Sequence, residues 1–346
     1  MITPYEVALI QPETIVVTKE RMGEAHQIMR LNLERILQLI RWTSDRWGSI
    51  KLAVFSEYAL VGFDPRRTLE DWIELSQPIP GEFTDLIGET AARLGCYIVG
   101  NVEEVIADWP GRYFNTDAIV SPDRQVILKY HKHNGPNNFN TTYTGPGDVY
   151  SEYVRRYGVE QLFPVADTPI GKLGCLTCTD ISFPEVARCL ALNGAEVLLN
   201  VTSEPYDVAN WDILRRARAI ENICYLASSN AGAYLESGLP VAGYLGHSQL
   251  VDFDGNVTAI IGAPGEAVVR ARIDIETLRH RRAKLMHNFL LQVRSDLYAG
   301  EYARAKRWPN DLWAKQPIQD RDDARAYGEQ FHRRLTEEGR FMRPGS

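Results

Sequence analysis

Short apolar runs alternate with stretches of helical periodicity from Val7 to Ile273, and this alternation restricts the chain to layers of sheet and helix. Val7–Gln11 and Leu52–Phe55 read as strands, and residues 21–42 carry Ala25, Ile28, Met29, Leu33, Ile36, Leu37 and Ile40 on one helical stripe. A second helix follows Gly81 and stops at Gly95. Cys96–Val105 is the next strand, and Asn115–Ser121 and Gln125–Tyr130 flank the turn residues Pro122-Asp123-Arg124. Residues 133–161 are polar and rich in Asn, Gly and Tyr, and so long an irregular stretch usually serves function. Leu162–Ala166 and Lys172–Thr177 resume strand character. Pro184–Asn193 is then a helix begun by Pro, and Glu196–Val201 a strand. Trp211–Glu221 is a helix with Ile213, Ala217 and Ile220 on one face, and Ile223–Ser228 is a strand. Ser248–Phe253 and Val257–Ile261 flank the turn Asp254-Gly255-Asn256, and Val268–Ile273 ends the strand content.

No linker divides residues 1–278, which read as one mixed α/β domain. Residues 279–346 are polar, aromatic and charged, with too little periodic apolar content for a core of their own. They are expected to form a C-terminal arm over the domain or a neighbouring subunit, in a homo-oligomer of two or more copies. With 38 Lys and Arg against 45 Asp and Glu, the charge is 38 − 45 = −7, so no overall basic field favours nucleic acid or an anionic membrane. The N-terminal segment lacks a basic leader, and no run reaches the roughly 18 apolar residues of a membrane span. Five cysteines (Cys96, Cys175, Cys178, Cys189 and Cys224) do not suit a disulfide scaffold, and a reducing cytoplasm is the expected compartment.

Three strands end on reactive side chains. Cys178 follows Lys172–Thr177 directly, with a Pro-initiated helix beginning at Pro184, which puts the thiol on a tight turn where unpaired N–H groups can stabilise a thiolate or an oxyanion. Glu57 closes the apolar run Leu52–Phe55, where a carboxylate is costly unless paired or working. Lys132 closes Gln125–Tyr130. Ligands bind at such strand ends in α/β sheets, so the three together point to one site. Cys175 and Cys178 also form a C-x-x-C pair, but side chains three apart on a strand face opposite ways, which opposes a disulfide or a shared metal. No second such pair and no histidine pair at ligand spacing completes a zinc site; no metal or cofactor is expected.

The segments Phe55-Ser-Glu57-Tyr-Ala-Leu-Val-Gly62, Leu128-Lys-Tyr-His-Lys132-His and Leu173-Gly-Cys-Leu-Thr-Cys178-Thr-Asp180 resemble, in order, the motifs of the nitrilase superfamily of carbon–nitrogen hydrolases. The intervals of 75 and 46 residues between Glu57, Lys132 and Cys178 are similar to those of its aliphatic-amidase and carbamoyl-amidase branches. The resemblance implies an α-β-β-α sandwich and a thiol hydrolase acting on a small linear amide. In it Cys178 is nucleophile, Glu57 base and Lys132 electrostatic partner, and the Thr179 N–H helps hold the oxyanion. A nitrilase, an N-carbamoyl-amine hydrolase and a catalytically weak binding protein are the alternatives. Aligning on Gly145-Pro-Gly-Asp148 places Asn140 where many members carry a second glutamate; an amide can hydrogen-bond there but takes no proton. Thr179 stands where nitrile-cleaving members often have Trp, which disfavours a nitrilase proper. Asn140, Tyr143, Asn200, Glu204 and Trp211 follow strand ends or lie in the long loop and are candidates to face substrate, with Glu204 a possible receiver of a cationic amine.

Overall fold

The computed structural model describes residues 1–133, 141–204, 208–238, 245–305 and 308–342, without the side chains of 208, 209 and 321. From the N-terminus, β1 (Tyr5–Gln11) and the short β2 (Glu13–Ile15) lead to α1 (Ala25–Trp47), β3 (Leu52–Phe55), α2 (Leu69–Leu75), α3 (Glu82–Leu94) and β4 (Tyr97–Glu104). The hairpin of β5 (Phe114–Val120) and β6 (Val126–His131) follows, then α4 (Tyr150–Tyr157), β7 (Val165–Thr168) and β8 (Gly171–Thr177). Next come α5 (Pro184–Leu192), β9 (Val197–Thr202), α6 (Val208–Asn222) and β10 (Tyr225–Asn230). The chain then forms β11 (Ala233–Leu235), β12 (Gln249–Val251), β13 (Val257–Ile260), β14 (Ala267–Ile273), α7 (Ile275–Ala283), α8 (Ser295–Ala305) and α9 (Arg321–Glu337).

Twelve strands assemble into two six-stranded sheets, ordered β14-β1-β3-β4-β5-β6 and β13-β12-β10-β9-β8-β7, and β2 pairs with β11 in a separate two-stranded sheet. The central strands β1, β3 and β4 run parallel, as do β8, β9 and β10. Both outer flanks are antiparallel, which lets hairpins finish each sheet without a crossover. The pleat turns alternate residues of β1 and β3 to opposite faces. Val7, Leu9, Leu52 and Val54 join Leu173, Cys175 and Val197 of the other sheet in one core, while Ala8, Ile10, Ala53 and Phe55 pack against α1 and α3. Helix α1 buries the predicted stripe from Ile28 to Ile40 in that second core. The result is the α-β-β-α sandwich. Among the described residues, no helix is long and apolar enough to cross a membrane.

Local chemistry explains the element ends. Gly81 N–H donates to Thr84 Oγ1 at the start of α3, and Gly95 closes that helix in the left-handed region (φ 62°), which costs glycine least. Pro184 occupies the first turn of α5, where its missing N–H has no intrahelical partner to lose.

Two regions depart from expectation. Within the stretch expected to be irregular, residues 134–140 lie outside the described residues, but residues 150–157 form α4. Tyr153 is the one buried residue of that helix, so it has no apolar period to read. In α6, Ile213 and Ile220 are exposed, while Arg215, Arg218, Ala219 and Asn222 are buried. The arginines turn inward because carbonyls receive them: Arg215 Nη1 donates to His247 O and Arg218 Nε to Ile181 O. The C-terminal region carries α8 and α9 and makes contacts with the domain. Arg112 Nη2 donates to Trp313 O at 2.6 Å, Asp311 N–H donates to Gly147 O at 2.9 Å, and Tyr302 OH reaches Glu185.

Candidate active site

The ends of β3, β6, β8 and β9 meet at one edge of the sandwich, and the reactive side chains sit just past them. Cys178 stands one residue beyond β8, at the head of a short 3₁₀ helix, Cys178–Ser182. Its backbone lies in the left-handed region (φ 47°), a strained conformation for a residue with a Cβ, and one that recurs where function fixes a side chain. Two clamps hold this turn. Asp180 Oδ2 accepts from Tyr130 OH at 2.7 Å, and Thr177 Oγ1 donates to Asp117 Oδ2 at 2.7 Å across the two sheets.

Glu57 is fully buried two residues past β3, and its backbone N–H donates to Thr202 O of the opposite sheet. Its Oε1 accepts from Lys132 Nζ at 2.8 Å and from Asn115 Nδ2 at 2.9 Å, and its Oε2 accepts from Ser203 Oγ at 2.9 Å. Asn115 is aimed by Asn101, whose amide donates to Asn115 Oδ1 at 2.7 Å and whose Oδ1 accepts from Tyr58 N–H. Lys132 is fixed through its backbone, donating to Asn115 O. Tyr143 offers its ring face 5.3 Å from Nζ, an attractive arrangement for a desolvated ammonium.

Glu204 comes from the loop after β9. Its Oε1 accepts from the Cys178 thiol, with Sγ at 2.8 Å. Asn230 clamps the glutamate's backbone: Oδ1 accepts from Glu204 N–H at 2.9 Å, and Nδ2 donates to Glu204 O at 3.3 Å.

These neighbours set the charges. Burial pushes the Cys178 thiol well above its ordinary range, and the Glu204 and Glu57 carboxylates push it further, with Lys132 opposing. Burial also raises the Glu204 carboxyl, with the charge of Glu57 adding to it. For Lys132 burial works against the charge, but Glu57, Tyr143, Cys178 and Tyr58 outweigh it and hold the ammonium well above the usual lysine range. A protonated thiol therefore rests between two carboxylates and a cation, and it becomes a nucleophile only by handing its proton to a base.

Among the residues singled out in the sequence, Glu57, Lys132, Cys178, Tyr143 and Glu204 come together. Thr179 is half-buried in the first turn of the 3₁₀ helix, where a backbone N–H has no helical acceptor. Asn140 lies outside the described residues. Asn200 is placed elsewhere: fully buried within β9, it donates to Leu176 O and accepts from Ser228 Oγ, so both ends of its amide serve the sheet. Trp211 packs its ring on the core under α6. Asn101, Asn115, Ser203 and Asn230 were missed. Ser203 follows a strand end as Glu204 does and was open to the same rule, whereas the asparagines act through pairings that no local spacing records.

The chain is similar to known proteins along most of its length. The family model described as carbon–nitrogen hydrolase matches residues 7–283. Omega-amidase NIT2-A of Xenopus laevis is 33% identical over 236 residues, covering 67% of this chain and 80% of that relative. The human deaminated glutathione amidase is 30% identical over 260 residues, covering 73% of this chain and 75% of its own. Among solved structures, a carbon–nitrogen hydrolase from Helicobacter pylori G27 superposes with a TM-score of 0.69 at 21% identity, over 86% of this chain and 98% of that one. On the extent of that family match, which spans residues 7–283, the chain belongs to the carbon–nitrogen hydrolase family.

Proposed function

We propose that the protein cleaves a small linear amide to a carboxylic acid and ammonia through a thioester on Cys178. The observation that carries this reading is the buried Lys132–Glu57 pair, 2.8 Å apart, whose charges both act on the Cys178 thiol. Glu57 takes the thiol proton as Sγ attacks the carbonyl carbon, whose π electrons move to oxygen, where Lys132 and the Thr179 N–H hold the charge. One such donor contributes about 3–4 kcal/mol in comparable sites. As the tetrahedral adduct collapses the C–N bond breaks, and Glu57 returns the thiol's proton to the nitrogen, which leaves as ammonia. Water, deprotonated by Glu57, then opens the thioester. The relatives above are named as amidases, which supports an amide over a nitrile as substrate.

The test is a panel of linear amides, nitriles and N-carbamoyl amines with purified protein, read by release of ammonia and of carbon dioxide. Ammonia from amides without carbon dioxide is the expected result; carbon dioxide release would move the substrate to the carbamoyl class. Cys178→Ala is expected to abolish turnover with an unchanged circular dichroism spectrum. Ammonia release by that variant at the wild-type rate would end the thioester reading.

A further inference from the structure

We propose that Glu104 and His131 are positioning residues for Lys132: from the outer face of the sheet they hold the strand end from which Lys132 meets the reacting carbonyl oxygen. The inference rests on the thioester reading and extends it to side chains behind the lysine. Lys132 follows β6, the last strand of its sheet, whose strand neighbour is β5. On the other side of β6 the backbone is met by a side chain, Gln161 Nε2 donating to Lys129 O at 2.7 Å. A strand with a ladder on one side opens more readily than a central one, so its side-chain ties matter more.

The bond from Lys132 N–H to Asn115 O carries the ladder one residue past β6. Successive side chains of a strand face opposite ways, so His131 points away from the site as Lys132 points into it. On that outer face a single carboxylate joins three strands. Glu104 of β4 accepts through Oε1 from Lys129 Nζ of β6 at 2.6 Å. Through Oε2 it accepts from Thr116 Oγ1 of β5 at 2.9 Å and from His131 Nε2 of β6 at 3.0 Å. An ionised carboxylate only accepts, so Nε2 is the donating nitrogen, and Nδ1 is left for the Tyr153 hydroxyl of α4, 2.8 Å away. The imidazole is held at both nitrogens, and the Phe114 ring packs on it with centroids 4.7 Å apart. Burial works against the Glu104 charge, but His131 and Lys129 outweigh it and hold the carboxyl below its usual range. Lys132 Nζ has to serve both Glu57 Oε1, at 2.8 Å, and the oxyanion. A shift of about 1 Å at the end of β6 is enough to spoil that geometry.

The test compares His131→Asn, His131→Gln and the wild type well below all three melting midpoints. A glutamine amide reaches Glu104 as Nε2 does, whereas an asparagine amide extends only as far as Nδ1. His131→Asn is expected to lower kcat on the order of 10²-fold with KM little changed, because Lys132 acts on charge that develops only in the transition state. His131→Gln is expected to restore most of that loss. Wild-type kcat in His131→Asn, or an equal loss in both variants, overturns the proposal, since a merely structural role follows stability and not the reach of the amide. Alkylation of Cys178 by iodoacetamide across pH, followed by intact mass, reads the same displacement without turnover. The Lys132 charge opposes the upward push on the thiol, so its withdrawal in His131→Asn moves the alkylation midpoint to higher pH. An unmoved midpoint overturns the proposal. An inert substrate panel with the expected midpoint shift would remove the amide reading and leave the hold on Lys132 standing. Should His131→Asn fail to fold, Tyr153→Phe decides, because it removes one hydroxyl and keeps the ring. A lowered kcat with wild-type KM supports the assignment, and wild-type kcat refutes it.

Discussion

Three donors converge on Glu57 from three segments of chain, and the aim of its carboxylate depends on all of them. Asn115 and Ser203 are neutral, so the loss of either leaves the charges of the site in place. Asn115→Ala is expected to let Glu57 and Lys132 shift together, and displacements of about 1 Å can cost on the order of 10² in rate. A fall in kcat of that order with a smaller change in KM, measured on the best amide of the panel, is the expected outcome; an unchanged kcat would show that Lys132 and Ser203 suffice. Cys178 shows how a local conformation and an ionisation are linked. Its left-handed backbone carries Sγ off the axis of β8 to a place where Glu204, Glu57 and Lys132 all act on it.

At the scale of elements, β4 concentrates two constraints. A Cβ on Gly100 would lie 1.7 Å from the Phe55 ring, where neither strand has room to give. Gly100→Ala is expected to destabilise the fold by about 1–3 kcal/mol or more, read from the midpoint of urea unfolding. Three residues on, Glu103 is buried with its Oε1 lacking a partner among the described residues, and burial pushes its carboxyl up to about 7. The folded pKa lies above the unfolded one, so the folded chain binds the extra proton between pH ~4.5 and ~7 and loses stability as pH rises through that window. Glu103→Gln is expected to raise the melting temperature at pH 8 while changing it little at pH 4. An equal shift at both values would place the effect elsewhere.

The same scale shows what the sequence records. The apolar runs and the reactive residues that end them were legible, because a strand that stops on a buried Glu, Lys or Cys breaks the pattern its own residues set. The buried face of α6 was not: it is built on Arg215 and Arg218, whose partners are the distant carbonyls of His247 and Ile181. Helix α4 was lost because one buried tyrosine makes no period. Asn200 follows the same logic in reverse. A polar residue in a buried strand reads as functional until its hydrogen bonds to Leu176 and Ser228 are seen.

In the whole molecule, the C-terminal arm is fastened beside the segment that supplies Tyr143. Asp311 accepts from Ser151 N–H at 2.8 Å and donates its own N–H to Gly147 O, and Trp313 N–H donates to Asp148 O. Asp311→Ala removes the side-chain half of that clasp, an exposed contact worth about 0.5–1.5 kcal/mol. Faster cleavage after residue 284 in limited proteolysis is the expected result, and an unchanged cleavage rate would show that the backbone bonds alone hold the arm.

Glu57 and Lys132 follow strands of one sheet, Cys178 and Glu204 strands of the other, and side-chain packing, hydrogen bonds such as Glu57 N–H to Thr202 O and the β2–β11 pair register one against the other. The two layers act like the jaws of a caliper, with the reacting atoms at their tips. Thinning the packing far from the tips, as Val54→Ala does between the sheets, should therefore misalign the jaws and depress the rate of acylation while the protein remains folded. In such a molecule catalytic rate is the finer measure of how well the core is filled, and stability the coarser one.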